Sequence, residues 1–163
     1  MGLKIREYEE RDKDALKRCI DGLQDHEASS DPMKLIVNKH GFSSVYVEFL
    51  LERIEREDGV MYVAEIENKV VGIVSCVIKH YEKQEVLGRS SSSPYGYVTD
   101  LFVMPEFRNR DLGAKLMMAT EEYFRGKGCD FTTVGMLAQN TGAYDFYKKI
   151  GYADRYVDFI KKL

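Results

Sequence analysis

Tyr97-Val98-Thr99-Asp100-Leu101-Phe102-Val103-Met104-Pro105-Glu106-Phe107-Arg108-Asn109-Arg110-Asp111-Leu112-Gly113-Ala114-Lys115-Leu116 reads as a strand, a basic turn and the start of a helix in direct succession. β-Branched and aromatic residues run from Tyr97 to Val103 and stop at Pro105, which cannot continue an interior ladder. Leu112, Leu116, Ala119 and Tyr123 then recur at helical spacing, with Glu121 and Arg125 four apart on the wet side. Between the two elements lie Arg108, Arg110 and Gly113. Free backbone N–H groups, the positive end of a helix dipole and two guanidinium groups are thereby set to converge on one anion. The spacing matches neither a G-x-x-x-x-G-K-[ST] loop nor the three-glycine dinucleotide fingerprint.

Upstream, Leu3 to Tyr8 alternates as a strand. Asp12 is placed to cap a helix carrying Ala15, Leu16, Cys19, Ile20 and Leu23 on one face, and that helix ends before Pro32. The stretch from Gln24 to Phe42 is irregular and polar, either a loop or a short helix. Ser43 or Ser44 then caps a helix lined by Val45, Tyr46, Phe49, Leu50 and Ile54, with Glu52 and Arg56 paired on the other face. After Asp58-Gly59 the period changes to that of strands. Val60–Ile66 and Val70–Ile78, joined by Glu67-Asn68-Lys69, predict an antiparallel hairpin. Tyr81 to Pro94, with four consecutive serines, is a connection. Downstream of the opening stretch, Cys129 to Met136 is a strand, Asn140 caps a helix that Gly151 stops, and Arg155 to Lys161 alternates as a final strand. The expectation is an α/β protein of α+β type: a mixed, mostly antiparallel central sheet flanked by helices, in the order β-α-α-β-β-β-α-β-α-β, as a single domain over residues 1–163.

The 163 residues suffice for a core without disulfides or metal, and 44% are apolar. With 24 Lys+Arg against 27 Asp+Glu, the net charge of −3 argues against a nucleic-acid partner and suits a cationic small substrate better. Cys19, Cys76 and Cys129 form no C-x-x-C pair, and their odd number favours free thiols, read here as small buried apolar residues. There is no apolar signal region, no membrane-length window and no metal-ligand spacing, so a soluble, cytoplasmic protein with no membrane partner and no metal is expected.

The turn from Arg108 to Gly113 resembles the acyl-CoA signature [QR]-x-x-G-x-[GA] of the GNAT superfamily of N-acetyltransferases, with Asp111 standing where the first glycine is usual. Asn140, Ala143, Phe146, Tyr147, Lys149, Gly151 and Tyr152 fall on that family's second pattern, N-x-x-A-x-x-F-Y-x-K-x-G-[FY]. Val98, Leu101, Val103 and Pro105 occupy the apolar and proline positions before the phosphate turn. The likeness covers Val60 to Tyr152 well and the first half by element order alone.

The resemblance implies a GNAT-like fold and transfer of an acetyl group from acetyl-CoA, as co-substrate, to a primary amine of a small molecule or peptide, by direct attack on the thioester. It implies a cofactor seat formed by Leu101, Phe102, Val103, Arg108, Asn109, Arg110, Asp111, Leu112, Gly113, Ala114, Asn140, Tyr144 and Tyr147. Asn140 would hydrogen-bond the cofactor, the Tyr147 hydroxyl would meet the departing sulfur, and backbone N–H groups near Leu101 to Val103 would polarise the carbonyl. Asn140 and Tyr147, seven residues apart, share a helix face about 10 Å apart along the axis. Tyr147 and Asp100 are the catalytic candidates. The base stays open. Thr99 fills a position where some members carry glutamate, Asp100 would face the opposite side of a regular strand, and Glu65, His26, Glu27, His80 or a water relay remain. Asp111 is expected as a helix cap turned from the ligand. A homodimer is one assembly open to the chain. The competing readings are a non-catalytic acyl-CoA-binding or sensor domain and an unrelated phosphate-binding α/β domain.

Overall fold

The computed structural model describes residues 2–163. In chain order the elements are β1 (Lys4–Glu7), α1 (Lys13–Ser30), α2 (Phe42–Arg56), β2 (Val60–Ile66), β3 (Lys69–Lys79), the single turn α3 (Lys83–Val86), β4 (Tyr95–Val103), α4 (Leu112–Gly126), β5 (Thr132–Val134) and α5 (Thr141–Lys149). They build one sheet in the order β1-β2-β3-β4-β5. The first four strands are antiparallel to their neighbours, and β5 runs parallel to β4. The hairpin turn forms as expected, with Glu67 and Asn68 both at positive φ (51° and 60°), the conformation a tight two-residue turn requires.

Each sheet face carries its own core. On one side Leu16, Cys19 and Ile20 of α1 and Val47 and Leu50 of α2 pack on Met61, Val63, Ile73 and Phe102. On the other, Leu112, Leu116, Met117 and Phe124 of α4, with Phe146 and Tyr147 of α5 and the following Ile150 at their edge, cover Val71, Val74, Cys76 and Val98. β3 is buried from Val70 to Ile78 because both faces are covered. Glycine at 96 has a packing reason: a Cβ there would stand 2.4 Å from the Phe124 ring.

β4 does not alternate regularly. Cys76 pairs with Val98 and Ser75 with Asp100, so Thr99 is an extra residue and forms a bulge. The bulge changes parity. Val98 packs in the α4 layer, whereas Asp100, two residues on, meets Tyr46 of α2, and Leu101 and Val103 return to the α4 side. The regular-strand expectation, with Asp100 turned away from Thr99, is therefore corrected. Beyond the bulge β4 also loses its outer neighbour, since β5 pairs only with Gly96, Tyr97 and Val98.

Several local expectations are also corrected. Asp12 does not cap α1. Its carboxylate accepts from the Arg6 guanidinium (2.6 and 2.8 Å) and from the Glu9 amide. Gly41, at φ 83°, and not Ser43 or Ser44, precedes α2, and Ser43 donates to Asp21. Glu57, rather than Glu52, partners Arg56 and Arg53. Residues from Gln24 to Ser30 continue α1, leaving a shorter connection to α2. The strand expected over Cys129–Met136 is realised only from Thr132 to Val134.

The final strand over Arg155–Lys161 is absent. Gly151, at φ 98°, ends α5, with its amide bonded to Lys148 O and the Tyr152 amide to Tyr147 O. Asp154 is then held on the outer side of α5 by the Tyr144 hydroxyl (3.0 Å) and Lys148. The chain is thus carried off the sheet edge, and alternation without an adjacent ladder makes no strand. Among the described residues no helix is long and apolar enough to cross a membrane.

Candidate active site

Two concave features meet at the second half of β4. The first follows Val103. A 3₁₀ turn from Pro105 to Phe107 leads through Arg108, Asn109, Arg110 and Asp111 into α4. Asn109 (φ 59°) and Asp111 (φ 58°) both take left-handed backbone angles. This is the conformation that makes glycine common at the second of these positions, and Asp111 adopts it with a side chain. The expected cap does not form: Asp111 makes no side-chain bond to the helix start. The first amides of α4, from Leu112 to Ala114, have no preceding turn to satisfy them and form an uncapped, positively polarised end.

The turn's guanidinium groups lie along its outside. Arg108 Nε donates to Val103 O (3.0 Å) with its guanidinium 5.6 Å from the Phe102 ring, and Arg110 stands 5.5 Å from the Phe107 ring. Gly113 approaches α5 closely, a Cβ there lying 3.2 Å from Phe146. Side chains of Leu112 and Phe102 are core, so these two residues can present only backbone to a ligand.

Across from this turn stands α5. Asn140 caps it, its Oδ1 accepting from the Ala143 amide (3.1 Å). Two residues short of its end, the Tyr147 ring packs against Phe146 and Tyr152, with centroids 5.2 and 5.6 Å away. Burial pushes the Tyr147 phenol well above its ordinary pKa, with Tyr152 adding to the shift. The structure thus sets Asn140 at the head of α5 and Tyr147 near its end, with Phe146 against Gly113 at the α4 start and Tyr147 in the same apolar layer as Leu101 and Val103 of β4. Tyr144 is drawn instead towards Asp154, half-exposed on the outer side.

An acidic cavity forms the second feature, on the other face of the sheet. Its volume is about 170 Å³, and Ile20, Leu23, Gln24 and Glu27 of α1, Phe42 and Tyr46 of α2, and Thr99 and Asp100 of β4 line it. Asp100 is buried and doubly held: Tyr46 donates to Oδ1 (3.0 Å) and Ser75 to Oδ2 (2.8 Å), while Ser75 Oγ also lies 2.6 Å from Thr99 Oγ1. Burial, and then the nearby Asp100 charge, raise the Glu27 pKa. Burial likewise lifts the Tyr46 phenol, with the Asp100 charge second.

Of the other base candidates, Glu65 is committed to Arg6 at 2.6 Å. His80 follows the end of β3 that pairs with Tyr95, about 17 Å along the strand from Asp100 at ~3.4 Å per residue. It lines a separate concavity with Glu57 and Lys79, which are paired with each other. Sequence reasoning missed Tyr46 and Ser75 as holders of Asp100. Ser75 did carry a signal, as the one hydroxyl in the apolar run of β3.

The residues suit acetyl-CoA. The uncapped helix start and left-handed turn offer amides and positive charge to a pyrophosphate, and the half-paired β4 edge, in the same layer as Tyr147, offers main-chain groups to an amide-bearing arm. Among the described residues no cluster of three metal-ligating side chains occurs.

Comparison with known proteins agrees with this geometry. The model of the acetyltransferase (GNAT) family matches residues 23–152. An N-acetyltransferase of Methanocaldococcus jannaschii, itself described as uncharacterised, is 31% identical over 127 residues, covering 76% of this chain and 51% of that protein. The thialysine N-epsilon-acetyltransferase of Bos taurus is 27% identical over 154 residues, 92% of this chain and 84% of that protein. The chain spans about half the length of the archaeal relatives it matches, 51% and 47%. Among solved structures, a Bacillus halodurans protein superposes with a TM-score of 0.84 at 16% identity, covering 98% of this chain and 99% of that one. An aminoglycoside N-acetyltransferase in complex with CoA gives 0.75 at 18% identity, covering 99% and 95%. These two share the fold. With the family model spanning most of the chain, and the bulged β4, basic turn and α5 all in place, the chain belongs to the GNAT family of acetyltransferases.

Proposed function

We propose that this protein is an N-acetyltransferase that moves an acetyl group from acetyl-CoA to the primary amine of a small cationic acceptor. The observation that carries the proposal is the bulge at Thr99. It turns Thr99 and Asp100 into one acidic cavity while leaving the same stretch of β4 half-paired at the edge facing Tyr147.

Acetyl-CoA, when bound, supplies the activated acyl group; the chain's residues supply the rest. Asp100 and Glu27 hold the acceptor's ammonium in a cavity smaller than the ~300–1,000 Å³ of typical small-molecule sites, a size suited to one aminoalkyl arm. An amine attacks only when neutral, so a proton must leave it. Asp100, fixed by Tyr46 and Ser75, receives that proton through water. Main-chain N–H groups of the β4 edge near Leu101 to Val103 polarise the carbonyl. The new N–C bond forms as the C–S bond breaks, the nitrogen's second proton passes to the released thiolate through solvent, and the Tyr147 hydroxyl would stand by that sulfur. A phenol raised by burial is a hydrogen-bond donor at neutral pH and not a base. It stabilises the thiolate through that hydrogen bond, and complete proton transfer is uphill by roughly 2 kcal/mol or more. Asn140 and the amides from Asn109 to Ala114 anchor the carrier. The cytoplasm is the proposed compartment.

An amine panel assayed by thiol release, including lysine analogues, polyamines, aminoglycosides and peptides, tests the reading. Acetylation of at least one cationic amine is expected. Glu27→Gln should raise its KM by about 10-fold or more, and Asp100→Asn, which also removes the proton acceptor, should raise KM and lower kcat. Because Glu27 ionises above the ordinary glutamate range, the acid limb of kcat/KM should lie correspondingly high in the wild type and shift or flatten in Glu27→Gln. CoA binding without transfer to any amine would overturn the enzymatic assignment in favour of a sensor.

A further inference from the structure

Position 99 sets a threonine in a cavity whose other polar walls include Glu27, Tyr46 and Asp100. Its hydroxyl is no base, but it does not stand alone. Thr99 Oγ1 lies 2.6 Å from Ser75 Oγ, and Ser75 Oγ lies 2.8 Å from Asp100 Oδ2. Thr99 is half-buried on the cavity wall, whereas Ser75 on β3 is fully buried and Asp100 nearly so. The bulge brings the three together. Neighbouring residues of a regular strand point to opposite faces, so one serine could not reach both Thr99 and Asp100. Ser75 pairs with Asp100 in the ladder, and Thr99, the extra residue, closes on the same hydroxyl.

The chemistry of the three groups fixes the direction of this chain. An ionised carboxylate only accepts, so Ser75 gives its single hydrogen to Asp100, and the hydrogen between the two hydroxyls comes from Thr99. Thr99 Oγ1 therefore meets the cavity as an acceptor. A buried serine would be satisfied by Asp100 alone, and the bond to Thr99 is the one that reaches the cavity.

Resting on the acetyl transfer proposed above, we propose that Thr99 and Ser75 form a two-hydroxyl relay that carries the acceptor's first proton to Asp100. The acceptor's N–H bond breaks as its proton passes, directly or across one water, to Thr99 Oγ1. Thr99 hands its own hydrogen to Ser75, and Ser75 hands its own to Asp100 Oδ2. One proton has then moved from nitrogen to carboxylate, both hydroxyls are intact, and the nitrogen lone pair is free to attack. The chain points the other way until Asp100 returns the proton to solvent by the same route. An ammonium is a weaker acid than a carboxylic acid, so the transfer runs uphill, and a chain aligned beforehand spares it the gathering of ordered water.

Thr99→Val keeps the shape and removes the hydroxyl. With 1,4-diaminobutane, or the best acceptor of the amine panel, its kcat should fall about 10- to 100-fold with KM changed less than about 3-fold. Thr99→Ser should recover most of that loss, and the double variant of Thr99→Val with Ser75→Ala should be no slower than Ser75→Ala alone. At high pH the amine arrives without its proton, so raising pH from ~7 to ~10 should narrow the gap between wild type and Thr99→Val several-fold. The other charged or titratable groups around Asp100 are Glu27 and His26 of α1 and Tyr46 and Arg53 of α2; both enzymes share them, and their ratio cancels that titration. A Thr99→Val kcat within about 2-fold of wild type overturns the relay while transfer itself stands. A gap that stays constant with pH also overturns it, because the hydroxyl would then only position Asp100. A wild type that acetylates no amine overturns the relay together with the enzymatic reading.

Discussion

Asp111 carries the sharpest conflict among single residues. It holds a left-handed backbone with a β-carbon, caps nothing, and sets a carboxylate at the uncapped start of α4, which is proposed to seat the pyrophosphate. Asp111→Gly should relieve about 1 kcal/mol of backbone strain and remove a repulsive charge, so a higher Tm and tighter acetyl-CoA binding are expected by thermal melting and titration calorimetry. Weaker binding would mean that the carboxylate orients the turn. Tyr147 poses a different question. Its ring is packed between Phe146 and Tyr152, so Tyr147→Phe keeps the packing and loses one hydroxyl. Turnover should fall by about 10²-fold with acetyl-CoA affinity nearly unchanged, and unchanged turnover would remove Tyr147 from the chemistry.

At the scale of elements, the junction between β1, α1 and β2 depends on one buried cation. Arg6, with a side chain 9% exposed, bonds both Asp12 and Glu65 at 2.6 Å and is raised by them, Asp12 first, so it stays charged. In return Arg6 lowers the Asp12 pKa below its ordinary 3.8, the hydrogen bond outweighing burial. A carboxylate depressed in the folded state stabilises the fold fully above its unfolded pKa, and that stabilisation is lost as pH falls through the folded value. Arg6→Ala should cost about 3–5 kcal/mol, since two part-buried carboxylates lose their partner. The wild type should lose stability steeply below pH ~4 whereas Asp12→Asn should not show this part of the slope, as urea titrations at several pH values will reveal.

For the molecule as a whole, legibility followed sequence distance. The strand, basic turn and helix from Tyr97 to Leu116, and the Asn140 cap with its Gly151 stop, were readable because each is specified by residues within one or two turns of one another. The acidic cavity was not, because Tyr46 meets Asp100 across 54 positions and Ser75 across 25. The bulge at Thr99 was hidden too: alternation holds on either side of it, and nothing in the residue types announces the change of phase. Arg155–Lys161 shows the opposite failure. Its pattern is that of a strand, but a strand is a relation between two segments, and sequence pattern describes only one of them.

That change of phase in β4 has a consequence for how such a protein diversifies. Beyond Thr99 neighbouring residues of the strand answer to different layers: Asp100 faces α1 and α2, while Leu101 and Val103 face α4, as Val98 does before the bulge. Substitutions that reshape the acidic cavity therefore act on side chains that the α4 layer never touches. Under the proposed function the bulge makes the two halves of the cleft separately heritable modules, one free to drift towards a new amine while the other keeps its hold on the same carrier.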